Sequence, residues 1–264
     1  MESKRDDGHR HGGVLAYWKG EAQQYKASKP TFGERTTQLD KLTAICPVTE
    51  ELLMDEPAIE STLDTKVAQE FAWKADAAIF GGSGSGSMPL GMVMPTTNTA
   101  LVTVDKETSQ GAGTFTGANA IKMQARAMPR HRDRLAWLMH PDVEEQLPYL
   151  AIQSGEAAKF LWNPEGGLGN FDTQRVLNKP VLFEDSCSAL GSKGDILLVD
   201  PYQYILLTKG TAKQDWSIHV EFLTDQNCFR MVFRCNGAPK VSKPLTIKNS
   251  TKTRSPFVAL ADRK

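Results

Sequence analysis

Five histidines, four cysteines, a glycine–serine run and several adjacent carboxylates could do chemistry in this chain, and their spacing decides which chemistry is open to them. Cys46, Cys187, Cys228 and Cys235 are scattered without a Cys-x-x-Cys pair, so sequence neighbours build neither a zinc site nor a redox couple. They read as buried free thiols in a reducing compartment. His9 and His11 lie too near the chain terminus to form a preorganised site, and His131 has no companion in sequence. His140 precedes a helix start and reads as a cap or core residue. His219 lies on the polar face of a strand beside Glu221, where a solvated cross-strand partner is the plain reading. Glu50/Glu51 and Glu144/Glu145 are adjacent on expected helices, and such neighbours face apart rather than converge on a substrate.

The run Gly81–Ser87 invites a phosphate-binding reading. A P-loop needs Gly-Lys-Ser/Thr after its glycines, whereas Gly86 is followed by Ser87, Met88 and Pro89. A dinucleotide fingerprint needs a strand before the glycines and a helix after them, and this run follows a helix. Ser85 between Gly84 and Gly86 lacks the strand-to-helix context of a nucleophile elbow. The run therefore reads as a flexible connector and a natural boundary between two lobes. No catalytic, cofactor-binding or metal-binding residue is assigned, and no cofactor is expected.

The elements around these residues follow from patterning. At 264 residues, 40% hydrophobic and 23% charged, the chain can bury a core as one large domain or two modest ones. Lys+Arg and Asp+Glu are equal at 31 each, so the totals carry no basic excess for gripping nucleic acid. Zero net charge also removes long-range self-repulsion and permits dense self-association. The charged N-terminus has no apolar signal core, and no apolar run approaches membrane-spanning length. A chain made and held in the cytoplasm is expected.

Residues 1–38 are polar with an aromatic island at Tyr17-Trp18 and isolated Tyr25 and Phe32, too sparse to drive a core. They read as an extended arm or long hairpin. Leu42, Ala44, Ile45 and Val48 predict a strand. Ile59, Leu63, Val67 and Phe71 then recur every fourth residue, continued by Ala75 and Ile79, in a helix opened by Pro57 and ended by Gly81-Gly82 as a left-handed terminator. A helix over 118–128, a buried strand at 135–139, a helix opened by Pro141, and strands at 177–183, 195–199 and 202–207 follow. Ile218, Val220 and Phe222, then Phe229, Met231, Phe233 and Cys235, alternate with polar residues about a turn at 225–227, which predicts a half-buried hairpin. Phe257–Leu260 is the last strand. Helices and strands mix without βαβ regularity, so the class is α+β.

Several stretches, in order and over nearly the whole chain, resemble the major capsid proteins of tailed phages, the Hong Kong 97 type. They are Trp18-Lys-Gly-Glu-Ala-Gln-Gln with Lys29-Pro30-Thr-Phe32; Pro47-Val-Thr-Glu-Glu-Leu-Leu53 running to Val67-Ala-Gln-Glu-Phe-Ala-Trp73 and Pro89-Leu-Gly91; Trp137-Leu-Met-His-Pro-Asp142; Lys179-Pro-Val181; Gly194-Asp-Ile196; Asp200-Pro-Tyr202-Gln-Tyr204; and Pro256-Phe-Val-Ala-Leu260. The resemblance implies an E-loop arm over 1–38, a peripheral domain over 39–82 and 209–238 with a spine helix and long β-hairpin, and an axial domain over 83–208 and 239–264. It implies inter-subunit contacts from Tyr17, Trp18, Lys19, Glu21, Tyr25, Lys29 and Phe32.

The implied function is a non-enzymatic subunit that joins copies of itself in hexamers and pentamers of an icosahedral shell around double-stranded DNA, without sequence specificity. Scaffolding protein, portal and maturation protease are the further partners implied, with no membrane. The location implied is the virion capsid, assembled in the host bacterial cytoplasm. Relatives normally carry an N-terminal arm before the loop, and this sequence begins inside or just before it, as a truncated or reduced gene product would. Some relatives cross-link a loop lysine to a neighbour's asparagine with a glutamate as base. Lys29 resembles that lysine, but 229–236 offers no convincing partner set, so no isopeptide bond is expected. Two other readings stand beside this one: an encapsulin-like nanocompartment shell holding cargo protein, and a small cytoplasmic nucleotide-binding enzyme or hydrolase using Gly81–Ser87.

Overall fold

The computed structural model describes residues 2–3, 14, 16–29, 32–33, 37–55, 59–93, 99–128, 132–154, 157–160, 175–247 and 251–264. In chain order the strands begin with β1 (Glu2–Ser3), β2 (Phe32–Gly33) and β3 (Asp40–Thr49), followed by helices α1 (Glu50–Asp55) and α2 (Ile59–Gly81). Next come β4 (Val102–Val104), α3 (Gly117–Arg126), β5 (Ala136–Met139), β6 (Ala151–Ser154), β7 (Ala157–Phe160), β8 (Arg175–Val176), β9 (Lys179–Phe183) and β10 (Ile196–Val199). The last are β11 (Tyr204–Thr208), β12 (Lys213–Glu221), β13 (Gln226–Pro239), β14 (Leu245–Thr246), β15 (Thr253–Arg254) and β16 (Phe257–Leu260). The chain divides into two compact units. One holds Met1–Thr37, Thr99–Gln203 and Val241–Lys264; the other holds Gln38–Asn98 and Tyr204–Lys240.

The second unit is a helix on a sheet. Strand β13 pairs antiparallel with β3 along one side and with β12 and then β11 along the other. Residues on β3 alternate between exposed and covered, with Leu42, Ala44 and Cys46 turned to the core, as a sheet buried on one face requires. Val67 and Phe71 of α2 pack there against Phe229 and Met231. Ile59, Leu63, Ala75 and Ile79 complete the expected stripe but are only half-buried. Pro57, expected to open this helix, lies outside the described residues. On the other face, Arg230 of β13 and Asp215 of β12 form an ion pair at 2.6 Å in the register that places them opposite each other.

The glycine run is a hydrogen-bonded hairpin and not a free connector. The Gly84 N–H donates to Pro89 O at 3.1 Å, Gly91 N–H to Gly82 O at 2.8 Å, and Leu90 N–H to Gly237 O on β13 at 2.9 Å. Tyr204 adds a bond from its hydroxyl to Leu90 O at 3.0 Å. These bonds group residues 83–93, and β11 with them, with the helix and its sheet. Gly82 is required for a different reason than the left-handed terminator its position suggests. It does not adopt a left-handed conformation. A Cβ there would lie 2.1 Å from Pro89 O and 2.4 Å from Ala78 O, so the close return of the chain excludes any side chain.

The other unit is built on a six-stranded sheet in the order β4-β16-β10-β5-β9-β8. Pairs β16–β4 and β5–β9 are parallel and the rest antiparallel. Strands β5, β10 and β16 are buried at every residue, which accounts for their unbroken apolar runs. Helix α3 begins with a capping box: Thr116 accepts from the Asn119 N–H, and the Asn119 side chain returns to the Thr116 N–H. It covers the sheet with Ala120 and Met123. Trp137 is fully buried, donates from Nε1 to Val176 O at 3.0 Å, and meets Phe115 edge-on at 6.2 Å. The segment after Pro141 is a 3-10 helix, Pro141–Tyr149, capped by His140. Near the C-terminus, the Arg263 guanidinium is fully buried against the Asp195 carboxylate. Asp195 also accepts from the Gly191 N–H at 2.9 Å. Burial pushes the Asp195 carboxyl upward, against the pull of Arg263 and the backbone donors.

Candidate assembly surfaces

Several stretches of apolar surface are left without cover among the described residues, Ile205–Leu207 of β11 among them, and two stand out. The first is the arm. Residues 16–29 form no helix or strand, only a turn at Glu21-Ala22, where Ala22 holds a left-handed φ of 61°. Trp18 is 103% exposed, Tyr25 88% and Tyr17 49%. Trp18 and Tyr25 have almost no intramolecular packing, while Tyr17 is half covered, with a cation at Lys26 5.9 Å from its ring; Lys19 bonds from its ammonium to the Gln24 carbonyl within the arm. Glu21 and Lys29 are exposed. Phe32 falls in β2, which pairs with β1.

The second surface is the β12–β13 hairpin end. The sequence pattern predicts that Ile218, Val220 and Phe222 face a core. In the structure all three are exposed, Phe222 at 73%, and the adjoining Leu223 at 99%. The reason is local. The β12–β13 register breaks between Ser217 and Glu221, so the strand end bulges off its partner. Nearer β11, Trp216 is partly covered by Phe229 at 4.9 Å between ring centroids. Both β12 and β3 pair on one side only among the described residues, which leaves two open sheet edges.

Chemical machinery does not converge anywhere among the described residues. No three His, Cys, Asp or Glu side chains come together as a metal site. His140 is a structural cap, accepting at Nδ1 from the Asp142 N–H at 3.2 Å. His219 is exposed in the bulge, and His9, His11 and His131 lie outside the described residues. All four cysteines are free; Cys46 is half-buried and the others are buried. Burial, reinforced by the carboxylates of Glu184, Asp195 and Asp185, pushes the Cys187 thiol up to about 12, so it is no nucleophile at neutral pH. Asn236 lies in the region implicated by the cross-linking relatives, and its amide donates to Asp40 Oδ2 at 2.8 Å. Among the described residues no helix is long and apolar enough to cross a membrane.

No curated protein sequence matches this chain. Solved structures do. The capsid of a native GTA particle computed with C5 symmetry is similar at a TM-score of 0.71 and 17% identity, covering 95% of this chain and 82% of that one. Mycobacterium phage Adephagia is similar at a TM-score of 0.62 and 14% identity, covering 94% and 82%. The holo-SrpI encapsulin complex of Synechococcus elongatus is similar at 0.56 and 13% identity, covering 90% and 79%. At such identities these likenesses establish the Hong Kong 97-like α+β fold and nothing finer. The family is decided by sequence, because the model of the phage capsid family matches residues 7–249. The chain belongs to the phage capsid family and is a major capsid structural protein.

Proposed function

We propose that this subunit works by joining copies of itself into the hexamers and pentamers of an icosahedral shell enclosing double-stranded DNA, with no catalytic activity of its own. The observation that carries the reading is the arm, whose Trp18 and Tyr25 are exposed on a segment with no core to fold against. Aromatic rings on such a segment gain burial only against a partner, and an identical subunit is the partner a homo-oligomer supplies. The arm then serves as the E-loop, contacting a neighbour through Tyr17, Trp18, Lys19, Glu21, Tyr25, Lys29 and Phe32. The unit of α2 and its four-stranded sheet takes the peripheral role, and the six-stranded unit takes the axial role. Scaffolding protein, portal and maturation protease would act on this subunit in the host cytoplasm before the virion is complete.

Electron microscopy of the purified chain, with nucleic acid and protein content measured in the same fraction, tests the reading. Shells or capsomer rings support it, and a chain that stays dispersed at every concentration overturns it. The encapsulin-like fold keeps a second reading in view: a shell that carries a co-purifying enzyme in place of nucleic acid would be a nanocompartment.

A further inference from the structure

The zero net charge of the chain hides a local concentration of cations. Strand β4 and the residues after it, α3, and β15 with the residues just before it line a cleft of about 490 Å³. It is lined by Lys106, Lys122, Arg126, Lys252 and Arg254, with Asp105 the one carboxylate among its lining residues. Lys122 is already paired, its ammonium 2.6 Å from Glu107. Arg126 donates from Nη2 to Thr253 Oγ1 at 3.2 Å, which leaves its Nε buried with no acceptor. A guanidinium N–H buried without a partner is costly, and like charges gathered in one cleft repel. An anion with several oxygens entering the cleft relieves that repulsion and offers the Arg126 guanidinium new acceptors. Phosphate chemistry fits this best, because guanidinium forks pair with phosphate oxygens and ammonium groups add point charge.

We propose that this cleft is a phosphodiester-binding site that holds the backbone of nucleic acid without reading its sequence. The cleft is far larger than one inorganic phosphate needs, and its lining is cationic with no aromatic side chain for stacking on bases. Backbone contact by Lys and Arg carries no sequence information. The choice of nucleic acid over another polyanion rests on the shell reading above. The cations come from both ends of the unit's sequence, so only the folded unit presents them together.

The test is fluorescence anisotropy of a labelled mixed-sequence DNA duplex titrated with the dispersed full-length chain across a salt series. Wild type should bind two unrelated sequences equally, with the logarithm of affinity falling steeply against that of salt, by about 0.9 per neutralised phosphate. Lys106→Gln/Arg254→Gln should weaken binding at least tenfold and flatten that slope by about 2. Should that variant fail to fold, Lys106→Gln/Lys252→Gln replaces two exposed side chains and should show the same loss. Equal binding by variant and wild type, or no duplex binding at low salt, overturns the proposal. So does thermal stabilisation by inorganic phosphate alone, which would mark a small-anion site. A variant that changes the mass in light scattering while keeping duplex binding would instead mark a contact with an acidic surface of another copy, and also overturns it. Wild type that binds the duplex as described but forms no shells would strike the assembly reading and leave this one standing.

Discussion

Replacing Tyr17 and Trp18 together by alanine separates an arm that serves assembly from an arm that serves the fold. Aromatic side chains bury roughly 150–250 Å² each when covered. At about 25 cal/mol per Å², fully covering Trp18 is worth roughly 5 kcal/mol gross. Tyr17 starts at 49% exposure, so it has about half as much left to gain. Ordering the arm and fixing its side chains consumes much of that gain, and truncating interface anchors typically costs about 2–4 kcal/mol net. Taking about 3 kcal/mol per arm contact, the apparent dissociation constant should rise roughly 100-fold. The assay is light scattering over a concentration series, beside thermal melting of the dispersed subunit. Assembly should shift to far higher concentration, while the melting temperature of the subunit stays within about 2 °C, since Trp18 touches so little of its own chain. A subunit destabilised by several degrees with assembly unchanged would place the arm in the core and refute the reasoning.

Other substitutions probe the two units. Phe229→Ala removes a ring that is fully buried under α2 and should cost about 3–5 kcal/mol in urea unfolding. Gly82→Ala drives a Cβ into two backbone carbonyls and should destabilise by more than about 2 kcal/mol. Gly81→Ala meets open space and should be neutral or stabilising by up to about 1 kcal/mol. Arg263→Met strands a buried Asp195 carboxylate and should cost about 3–5 kcal/mol, with Asp195→Leu/Arg263→Met recovering part of it. A thiol reagent should label Cys46 first in the dispersed subunit and leave Cys187 until unfolding. Because the folded Cys187 keeps its proton up to about 12, against an ordinary value of 9.0, its contribution to stability is full below 9 and falls as pH rises between the two.

What the sequence disclosed, and what it withheld, follows from the range of the forces involved. Strands β10 and β16 were legible because four apolar residues in a row are buried on both faces. Helix α2 was legible from Val67 and Phe71, one turn apart on the face that meets the sheet. Residues 218–222 misled for an instructive reason. Period two announces one apolar face, but it does not say whether that face is covered by the same chain or by another. The bulge after Ser217 leaves this face bare in the isolated subunit. Composition made Gly81–Ser87 look like a linker, whereas its glycines include two forced by φ, Gly84 and Gly86, and one forced by a neighbouring carbonyl, Gly82. The arm's aromatics stood out as rings without a local core. The basic cleft did not, because Lys106 and Arg254 meet only after the six-stranded sheet has brought β4 and the chain's end together through β16.

The central claim is that this chain builds a shell from copies of itself, and its mass in solution tests that most directly. Gel filtration with light scattering, followed by electron microscopy of any large fraction, should find megadalton closed shells or rings. A uniform 29.1 kDa species at every concentration tried would contradict the claim.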